Sequence, residues 1–242
     1  MKNLFRISGV ILLILLIQSC KKSDDNLIRD ADGNVYHTVT IGSQIWAVEN
    51  LKTTKYDDNT DIPLVTDNAE WAALSTPACC WYNNDIANKE VYGALYNWYT
   101  VSTNKLCPNG WHVPTDADWT NLTEYLTNNG YGYEGSGEDI GKSMADTSGW
   151  TIDPTAGNVG NDQSSNNSSG FTAIPSGNRH MNGSFASIGD IDCWWSATEM
   201  IDRLNNDAVL AVNREINTGF NDVSGSPTNM QCGFSIRCLM DN

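Results

Sequence analysis

Seven cysteines carry the most reactive side chains of this chain: Cys20, Cys79, Cys80, Cys107, Cys193, Cys232 and Cys238. Thiols can pair as disulfides, ligate zinc or act as nucleophiles, and their spacing helps to decide between these uses. No CxxC spacing occurs, and the three histidines, His37, His112 and His180, are scattered along the chain. The pattern therefore does not favour a zinc site. The choice between disulfides and free thiols depends on the compartment.

The compartment is indicated by the first twenty residues, MKNLFRISGVILLILLIQSC. Lys2 and Arg6 form a short positive region, and an apolar run over residues 9–17 follows. This run is shorter than the ~20 residues of a typical spanning helix. Its flanks favour a cleaved secretory signal over the alternative, an uncleaved membrane anchor. The tail IQSC resembles a bacterial lipobox, so residues 1–19 are predicted to be a lipoprotein signal peptide and Cys20 the lipidated residue.

Six cysteines remain once Cys20 is assigned to lipid. An even number in an exported chain indicates disulfides, but six cysteines allow 15 pairings and the sequence alone does not choose among them. Cys79 and Cys80 are adjacent, and we predict that each pairs with a different partner because bridging neighbours strains the backbone. Residues 20–29 are predicted to be the lipidated cysteine and a polar tether, and residues 30–242 a single domain.

Other candidate catalytic groups lack the spacing of a known motif. The carboxylates that qualify by type alone are equally well explained as solvated surface: Glu124, Glu134, Glu138 and Asp139. His112, within WHVP, is either a structural hydrogen-bonding residue or a catalytic base. The glycines around residue 133 are not framed by a strand and a helix, as a phosphate-binding loop requires.

Residues 30–34, DADGN, can be read as a turn or as part of a calcium loop. A full EF-hand loop needs a distal Glu and further oxygen ligands at fixed positions, and these are missing. The turn is therefore favoured. We expect no cofactor, and calcium lacks the support of a complete motif.

Aromatic residues in polar loops are candidates for ligand binding, since they can stack on sugar rings while Asn, Asp and Ser bond the hydroxyls. Five residues fit this description: Trp81, Tyr82, Tyr131, Tyr133 and Trp150. The alternative for each is a place in the core, because large aromatics are mostly buried on average.

The net charge of −15 restricts the range of partners. Loss of Lys2 and Arg6 with the signal peptide would make it −17. A surface of this sign repels nucleic acid and anionic lipid headgroups. It is compatible with calcium binding or simply with solubility, so nucleic acid is not expected as a partner.

Two helices and a hairpin are predicted. Residues 35–41 alternate as a strand, Gly42-Ser43 forms a two-residue turn, and residues 44–51 return as the partner strand. Residues 89–102 place apolar side chains at helical spacing. Thr115 and Asp118 match a capping box that opens a second helix ending near residue 128.

The rest of the chain is predicted to be less regular. Residues 130–170 are rich in Gly, Ser, Asn and Asp, which indicates a long irregular region on the surface. The final third is predicted to consist of short strands, with 208–213 and 233–239 as closing strands.

Six ordered segments together resemble one family: DADGNVYHTVTIGSQIWAVENL, YGALYNWYTV, CPNGWHVPTDADW, GFTAIPSGNR, WWSATE and GFSIRCLMD. They look like the Fibrobacter succinogenes major paralogous domain, a module of secreted and lipoprotein chains. The resemblance covers roughly residues 30–241. The family has no firmly assigned activity. The charged run KKSDD after Cys20 is similar to tethers of surface-exported lipoproteins.

A more distant resemblance concerns the fold. The order of helix, WHVPTDADW, Gly-rich stretch, WWS and terminal GFSIRC is similar to the sulfatase-modifying-factor group. This implies an α+β, C-type-lectin-like fold with two helices, small antiparallel sheets, long irregular loops and disulfide staples. It further implies a Cys107–Cys238 disulfide, and Cys193–Cys232 is a second expected pair. The formylglycine-generating enzymes of that group use two C-terminal cysteines, but the spacing of Cys232 and Cys238 departs from theirs.

These observations predict a cell-envelope lipoprotein, anchored in the outer membrane and surface-exposed, that acts as a non-enzymatic binding module. Polysaccharide or a partner protein is the expected ligand. A structural or adhesive envelope protein is one alternative, and a thiol-dependent or hydrolytic enzyme is another.

Overall fold

A computed structural model describes residues 27–135, 137–202 and 208–241. The predicted signal peptide, Cys20 and most of the predicted tether lie outside the described residues. The last three tether residues, Leu27–Arg29, form a strand that pairs with the next one along the chain. The folded domain therefore begins slightly earlier than predicted.

Strands and short helices alternate along the described chain. The strands are β1 (Leu27–Arg29), β2 (Val35–Ile41), β3 (Gln44–Ala47), β4 (Cys79–Cys80), β5 (Leu95–Tyr96), β6 (Trp111–His112), β7 (Ser176–Arg179), β8 (Phe185–Ile188), β9 (Ile191–Asp202), β10 (Ala208–Asn217), β11 (Ser224–Thr228) and β12 (Leu239–Met240). The helices are α1 (Asn68–Ala72), α2 (Ala87–Tyr92), α3 (Trp98–Val101), α4 (Asp116–Asn128) and α5 (Gly141–Met144). None of these helices is long and apolar enough to cross a bilayer.

The strands form two five-stranded sheets and one two-stranded ribbon. The first sheet has the order β1-β2-β3-β12-β6 and is antiparallel throughout. The second has the order β11-β10-β9-β7-β8, in which β7 and β9 run parallel, and β4 pairs with β5. The predicted α+β class is confirmed. The prediction of two helices is wrong, because five α-helices are described and only α4 exceeds six residues.

The predicted β2–β3 hairpin is present, with Ile41 opposite Gln44 and Gly42 in the left-handed region at φ 62°. Its second strand ends at Ala47 rather than at residue 51. Beyond that point the chain bonds to the C-terminal segment, since the Leu51 amide donates to the Ile236 carbonyl. The predicted turn at residues 30–34 is also present, because the Asp30 carboxylate accepts the amides of Asp32 and Asn34.

The single helix predicted over residues 89–102 is broken into α2, β5 and α3. The break lies at Gly93, which has φ 81° and ψ −159°. A Cβ at this position would lie 2.9 Å from the carbonyl oxygens of both Asn50 and Leu51. The close approach of two backbone segments therefore overrides the helical spacing of the side chains.

Replacing Gly93 with alanine is expected to lower the free energy of unfolding by about 2–3 kcal/mol more than the matched change Gly33→Ala. Both glycines have φ near 80°, so both substitutions carry similar backbone strain. Only Gly93 also meets backbone atoms, whereas nothing lies within 4 Å of a Cβ at Gly33. Urea unfolding of both variants measures the difference, and equal effects would contradict the close-approach explanation.

Helix α4 confirms its predicted capping box. The Thr115 hydroxyl accepts the Asp118 amide, and the Asp118 carboxylate accepts the Thr115 amide. Trp119, Leu122 and Leu126 are fully buried on one face. Tyr125 is partly exposed, with its ring against Gly42.

Residues 130–170 are mostly irregular, as predicted, but they are not a surface loop. Met144, Ala145, Trp150 and Val159 are buried in one hydrophobic cluster. The buried Lys142 ammonium donates to the carbonyls of Asn158, Asn161 and Asp162. Backbone groups that regular structure would have paired are satisfied here by a side chain, which lets an irregular segment enter the core.

One disulfide, Cys107–Cys238, is formed among the described cysteines, and it is the pair that the distant resemblance implied. The second expected pair is absent, because the Cys193 thiol accepts from the Asn213 amide group at 3.0 Å and faces Glu215 on β10. Cys232 is likewise a free, buried thiol.

Cys79 and Cys80 are also free and buried, so the prediction that each forms a disulfide is wrong for the described residues. They are successive residues of β4 and therefore point to opposite faces of the strand. Accordingly, they pack into two different hydrophobic clusters. Burial raises the pKa of the Cys80 thiol to about 12 and that of Cys79 further still.

Candidate functional site

The structure buries three of the five loop aromatics. Trp81, Tyr82 and Trp150 are only 4%, 7% and 4% exposed. They belong to three different hydrophobic clusters, so they take the alternative position, a place in the core. Tyr131 and Tyr133 are half-buried, and the Tyr131 ring lies 6.4 Å from that of Tyr125.

The predicted catalytic candidates are spread over separate places. Glu124 and Glu138 line a groove of about 520 Å³ beside α4, together with Asp222. His112 holds Asp241 at 2.7 Å through Nδ1 and Asp118 at 3.5 Å through Nε2. Both ring nitrogens thus connect the C-terminal strand to the start of α4, which favours the structural interpretation of His112.

The thiol pair that the enzyme comparison would need is divided. Cys238 is bonded to Cys107, and Cys232 is a separate buried thiol. Burial raises the pKa of Cys232 to about 11, which keeps it in the thiol form at neutral pH.

A different cluster combines burial, charge and a cleft. We call it the buried polar centre, and it consists of five residues that are almost inaccessible to solvent: Asn50, Ser176, Asp192, Ser235 and Arg237. They come from four separate segments of the chain: the segment after β3, the start of β7, the start of β9, and the segment before β12, which supplies two of them. Folding alone brings them together.

Asp192 accepts hydrogen bonds on both carboxylate oxygens. The Ser176 hydroxyl donates to Oδ1 at 2.7 Å, and the Ile174 amide donates to Oδ2 at 3.1 Å. The Asn50 side-chain amide donates to Oδ1 at 3.3 Å. Burial raises the pKa of Asp192 to about 6, although the positive charge of Arg237 opposes this effect.

Arg237 supplies the matching positive charge. Its Nε donates to the Asn50 side-chain oxygen at 2.7 Å, and its two terminal nitrogens donate to the carbonyls of Phe171 and Thr172 at 2.6 and 2.8 Å. Its guanidinium also lies 4.7 Å from the centre of the Phe171 ring. Burial lowers the pKa of Arg237 to about 10, so it stays charged at neutral pH.

Asn50 connects the centre to a cleft of about 310 Å³ that opens to solvent. The Arg237 cleft, as we name it, has Asn50, Gly93 and Arg237 at its floor and aliphatic side chains among its walls. Its full lining is Val35, Val48, Glu49, Asn50, Lys52, Lys89, Glu90, Val91, Gly93, Thr172, Ile174 and Arg237.

The buried polar centre fixes the walls of this cleft. Asn50 donates to the Tyr92 carbonyl at the end of α2, which holds one wall. Arg237 bonds the Thr172 carbonyl and Asp192 bonds the Ile174 amide, which together hold the opposite wall. The donors and acceptors of the centre are thus occupied by one another and by backbone groups of the two walls.

Sequence reasoning missed this centre. Arg237 was visible only as part of the GFSIRC string, and Asp192 only as a charge beside the aromatic run CWW. The available signals were a single acid, Asp192, at the edge of one apolar strand and a single arginine, Arg237, within another apolar segment. Within the described ranges no group of three or more His, Cys, Asp or Glu side chains could hold a metal ion.

The fold and site define a mixed α+β domain, closed by one disulfide, with a preformed cleft above a buried charged centre. The sequence model of the Fibrobacter succinogenes major domain matches residues 39–240, most of the chain, so the protein belongs to that family. No curated protein and no solved structure matches the chain significantly.

Proposed function

We propose that this protein is a cell-envelope lipoprotein whose folded domain is a non-enzymatic binding module. Its anchor is the lipidated Cys20, and outer-membrane attachment with surface exposure is the proposed location. The domain is proposed to have a C-type-lectin-like fold and to bind polysaccharide in the Arg237 cleft. A partner protein is the alternative ligand.

The observation that carries this proposal is the preformed cleft. Small-molecule sites are concave, combine apolar walls with a few fixed polar groups and exist before the ligand arrives. The Arg237 cleft meets these conditions, because its aliphatic walls and polar residues are held by hydrogen bonds to side chains that are themselves fully buried. Its volume of about 310 Å³ lies at the lower end of such sites, which suits a sugar unit.

A glycan and polysaccharide array tests the proposed function, with protein that lacks residues 1–20. Val91→Trp should abolish binding by filling the mouth of the cleft, because Val91 lines it and is 60% exposed. Ile86→Trp is the matched control, since Ile86 is 62% exposed beside the same helix but does not line the cleft. Binding to no glycan would leave the partner-protein version, and capture of one stoichiometric envelope protein would favour the structural or adhesive alternative.

The proposed anchor has its own test. Cys20→Ser is expected to abolish incorporation of a labelled fatty acid and to release the protein from the membrane fraction. A lipid-independent membrane association of the variant would instead indicate an uncleaved membrane anchor.

A further inference from the structure

The distribution of basic side chains in this acidic protein is uneven. Several described cations are committed elsewhere: Arg179 and Lys142 are buried against carbonyls, Lys105 pairs with Asp58, and Arg214 pairs with Asp116. By contrast, two of the partly exposed lysines, Lys52 and Lys89, line the Arg237 cleft. A cleft with two lysines stands out on a chain with a net charge of −15.

Lys89 is the cation available to a ligand. No described carboxylate lies within 4.0 Å of its ammonium group. The ammonium instead lies 5.3 Å from the centre of the Trp81 ring, an interaction that fixes a cation without neutralising it. Trp81 thus acts from below the surface to hold Lys89 at the wall of the cleft.

The other charged groups at the mouth have hydrogen-bond partners of their own. Lys52 bonds Glu90 at 2.6 Å, and Glu49 bonds His37 at 2.6 Å. Arg29 adds a further exposed cation, because it lies directly opposite Val35 in the β1–β2 pair and so shares a sheet face with this cleft residue. Among these groups, three cations (Arg29, Lys52 and Lys89) thus face two carboxylates (Glu49 and Glu90).

The walls suit a small ring rather than an isolated anion. Val35, Val48 and Ile174 supply aliphatic surface within the lining. A sugar ring carries apolar C–H faces and polar edges, so it can contact these walls while a substituent reaches Lys89. A sugar whose exocyclic carbon is a carboxylate combines such a ring with a negatively charged substituent.

We propose that the Arg237 cleft binds the uronic acid units of an acidic polysaccharide, with the carboxylate paired to Lys89. This inference rests on the proposed binding function and specifies its ligand class. Lys52 becomes a second donor when the ligand carboxylate competes with Glu90. A charge-assisted hydrogen bond of this kind contributes enough to change affinity by about tenfold or more.

Binding is measured by calorimetry on the lipidated protein, purified in detergent from cells that express the full chain. The probes are D-glucuronate, D-glucose and acetate, because glucose lacks only the carboxylate and acetate lacks only the ring. Glucuronate is expected to bind at least tenfold more tightly than either, and its affinity should fall as salt is raised.

Two neighbouring substitutions should act in opposite directions on glucuronate binding. Lys89→Gln removes the ligand's ion-pair partner and should weaken binding about tenfold. Glu90→Gln removes the carboxylate that competes for Lys52 and should strengthen it. Lys105→Gln is the control, because Lys105 is an exposed lysine that does not line the cleft and whose partner, Asp58, also lies outside the cleft lining.

The outcomes separate this inference from the proposed function. Equal binding of glucose and glucuronate, lost in Val91→Trp, would overturn the uronic acid proposal while leaving a sugar-binding cleft. Acetate binding as tightly as glucuronate would overturn it in favour of a general anion site. Absence of binding by all three probes, together with an empty glycan array, would overturn the uronic acid proposal and polysaccharide as the ligand, and would leave the partner-protein version of the proposed function.

Discussion

A variant in which serine replaces both Cys107 and Cys238 is expected to lose ~4–5 kcal/mol of unfolding free energy. The disulfide closes a loop with a sequence separation of 131 residues. On the chain-entropy model, the loss arises because the unfolded variant regains the freedom that this closure removes. The free energy of unfolding of a native domain is usually only about 5–15 kcal/mol, so the variant should be close to unfolded at 37 °C.

The position of the bridge adds to this effect. Cys238 immediately precedes Leu239, which pairs with Trp46 on β3 and with His112 on β6. The disulfide therefore holds the short β12 strand between β3 and β6 in the first sheet. Because β12 has only two residues, its own ladder hydrogen bonds hold it weakly.

Urea unfolding with and without a thiol reductant measures the change. The reductant should destabilise the wild-type protein to the level of the double variant and leave the variant unaffected. A second variant with alanine at both positions separates disulfide loss from the burial of two hydroxyl groups, since both sites are nearly inaccessible. A melting temperature unchanged in both variants would contradict the bridge.

Wild-type protein that lacks residues 1–20 can be used to test the state of the other cysteines. In denaturant without reductant it should show four titratable thiols, those of Cys79, Cys80, Cys193 and Cys232. In the native state these thiols should react slowly, because all four are buried. Two thiols instead of four would show that one further disulfide forms.

Local patterns predicted the local structure well. The β2–β3 hairpin follows from alternation and a two-residue turn, and the start of α4 follows from the Thr115–Asp118 capping box. In both places the deciding interactions lie within a few residues of one another. The pattern at 89–102 failed because the deciding contact, at Gly93, is with residues about forty positions away.

Polarity along the chain predicted burial poorly. The segment from 130 to 170 looks like a surface loop, but Lys142 satisfies its carbonyls and its few apolar side chains are in the core. Trp81 and Trp150 sit among polar residues and are nevertheless buried. Sequence composition shows which residues are polar but not which backbone groups find partners inside the fold.

The candidate site was beyond prediction for a related reason. Asn50, Asp192 and Arg237 are separated by more than forty residues from one another and match no motif whose spacing implies contact. They meet because three strand ends converge. The one long-range contact that could be anticipated, Cys107–Cys238, came from a resemblance and not from the residues themselves.

Asp192→Asn is expected to lower the free energy of unfolding by about 1–3 kcal/mol at neutral pH. The Asn side chain keeps only one acceptor oxygen, whereas Asp192 accepts from the Ser176 hydroxyl on one oxygen and from the Ile174 amide on the other. Its NH₂ group would then face one of these donors without solvent to relieve the contact. Loss of the negative charge is not the cause, because burial already favours the neutral form of Asp192 by raising its pKa.

Glu49→Gln is the matched control, because Glu49 also acts on the charge of Arg237 but lies at the exposed mouth of the cleft. Removal of the Glu49 charge should change the free energy of unfolding by less than about 1 kcal/mol, as expected for exposed ion pairs. Equal effects of the two substitutions would show that burial of Asp192 is not what makes it important.

The pH dependence gives a second, independent readout of the buried polar centre. The pKa of Asp192 is raised from its usual 3.8 to about 6, so the folded state takes up the proton more readily than the unfolded state. The stabilisation from this uptake is complete below pH 3.8 and is lost as the pH rises through 6. Between pH 7.5 and pH 5 the wild-type protein should therefore gain about 1.4 kcal/mol relative to Asp192→Asn.

The free energy of unfolding of Asp192→Asn must be subtracted from that of the wild type at each pH. Other acids contribute a pH dependence of the opposite direction. Lys52 lowers the pKa of Glu90, so the stability that Glu90 contributes falls as the pH is lowered. These acids are present in both proteins and cancel in the difference. A difference that stays constant from pH 5 to pH 7.5 would contradict a raised pKa at Asp192. It would leave the hydrogen bonds, rather than proton uptake, as what Asp192 contributes to holding the cleft.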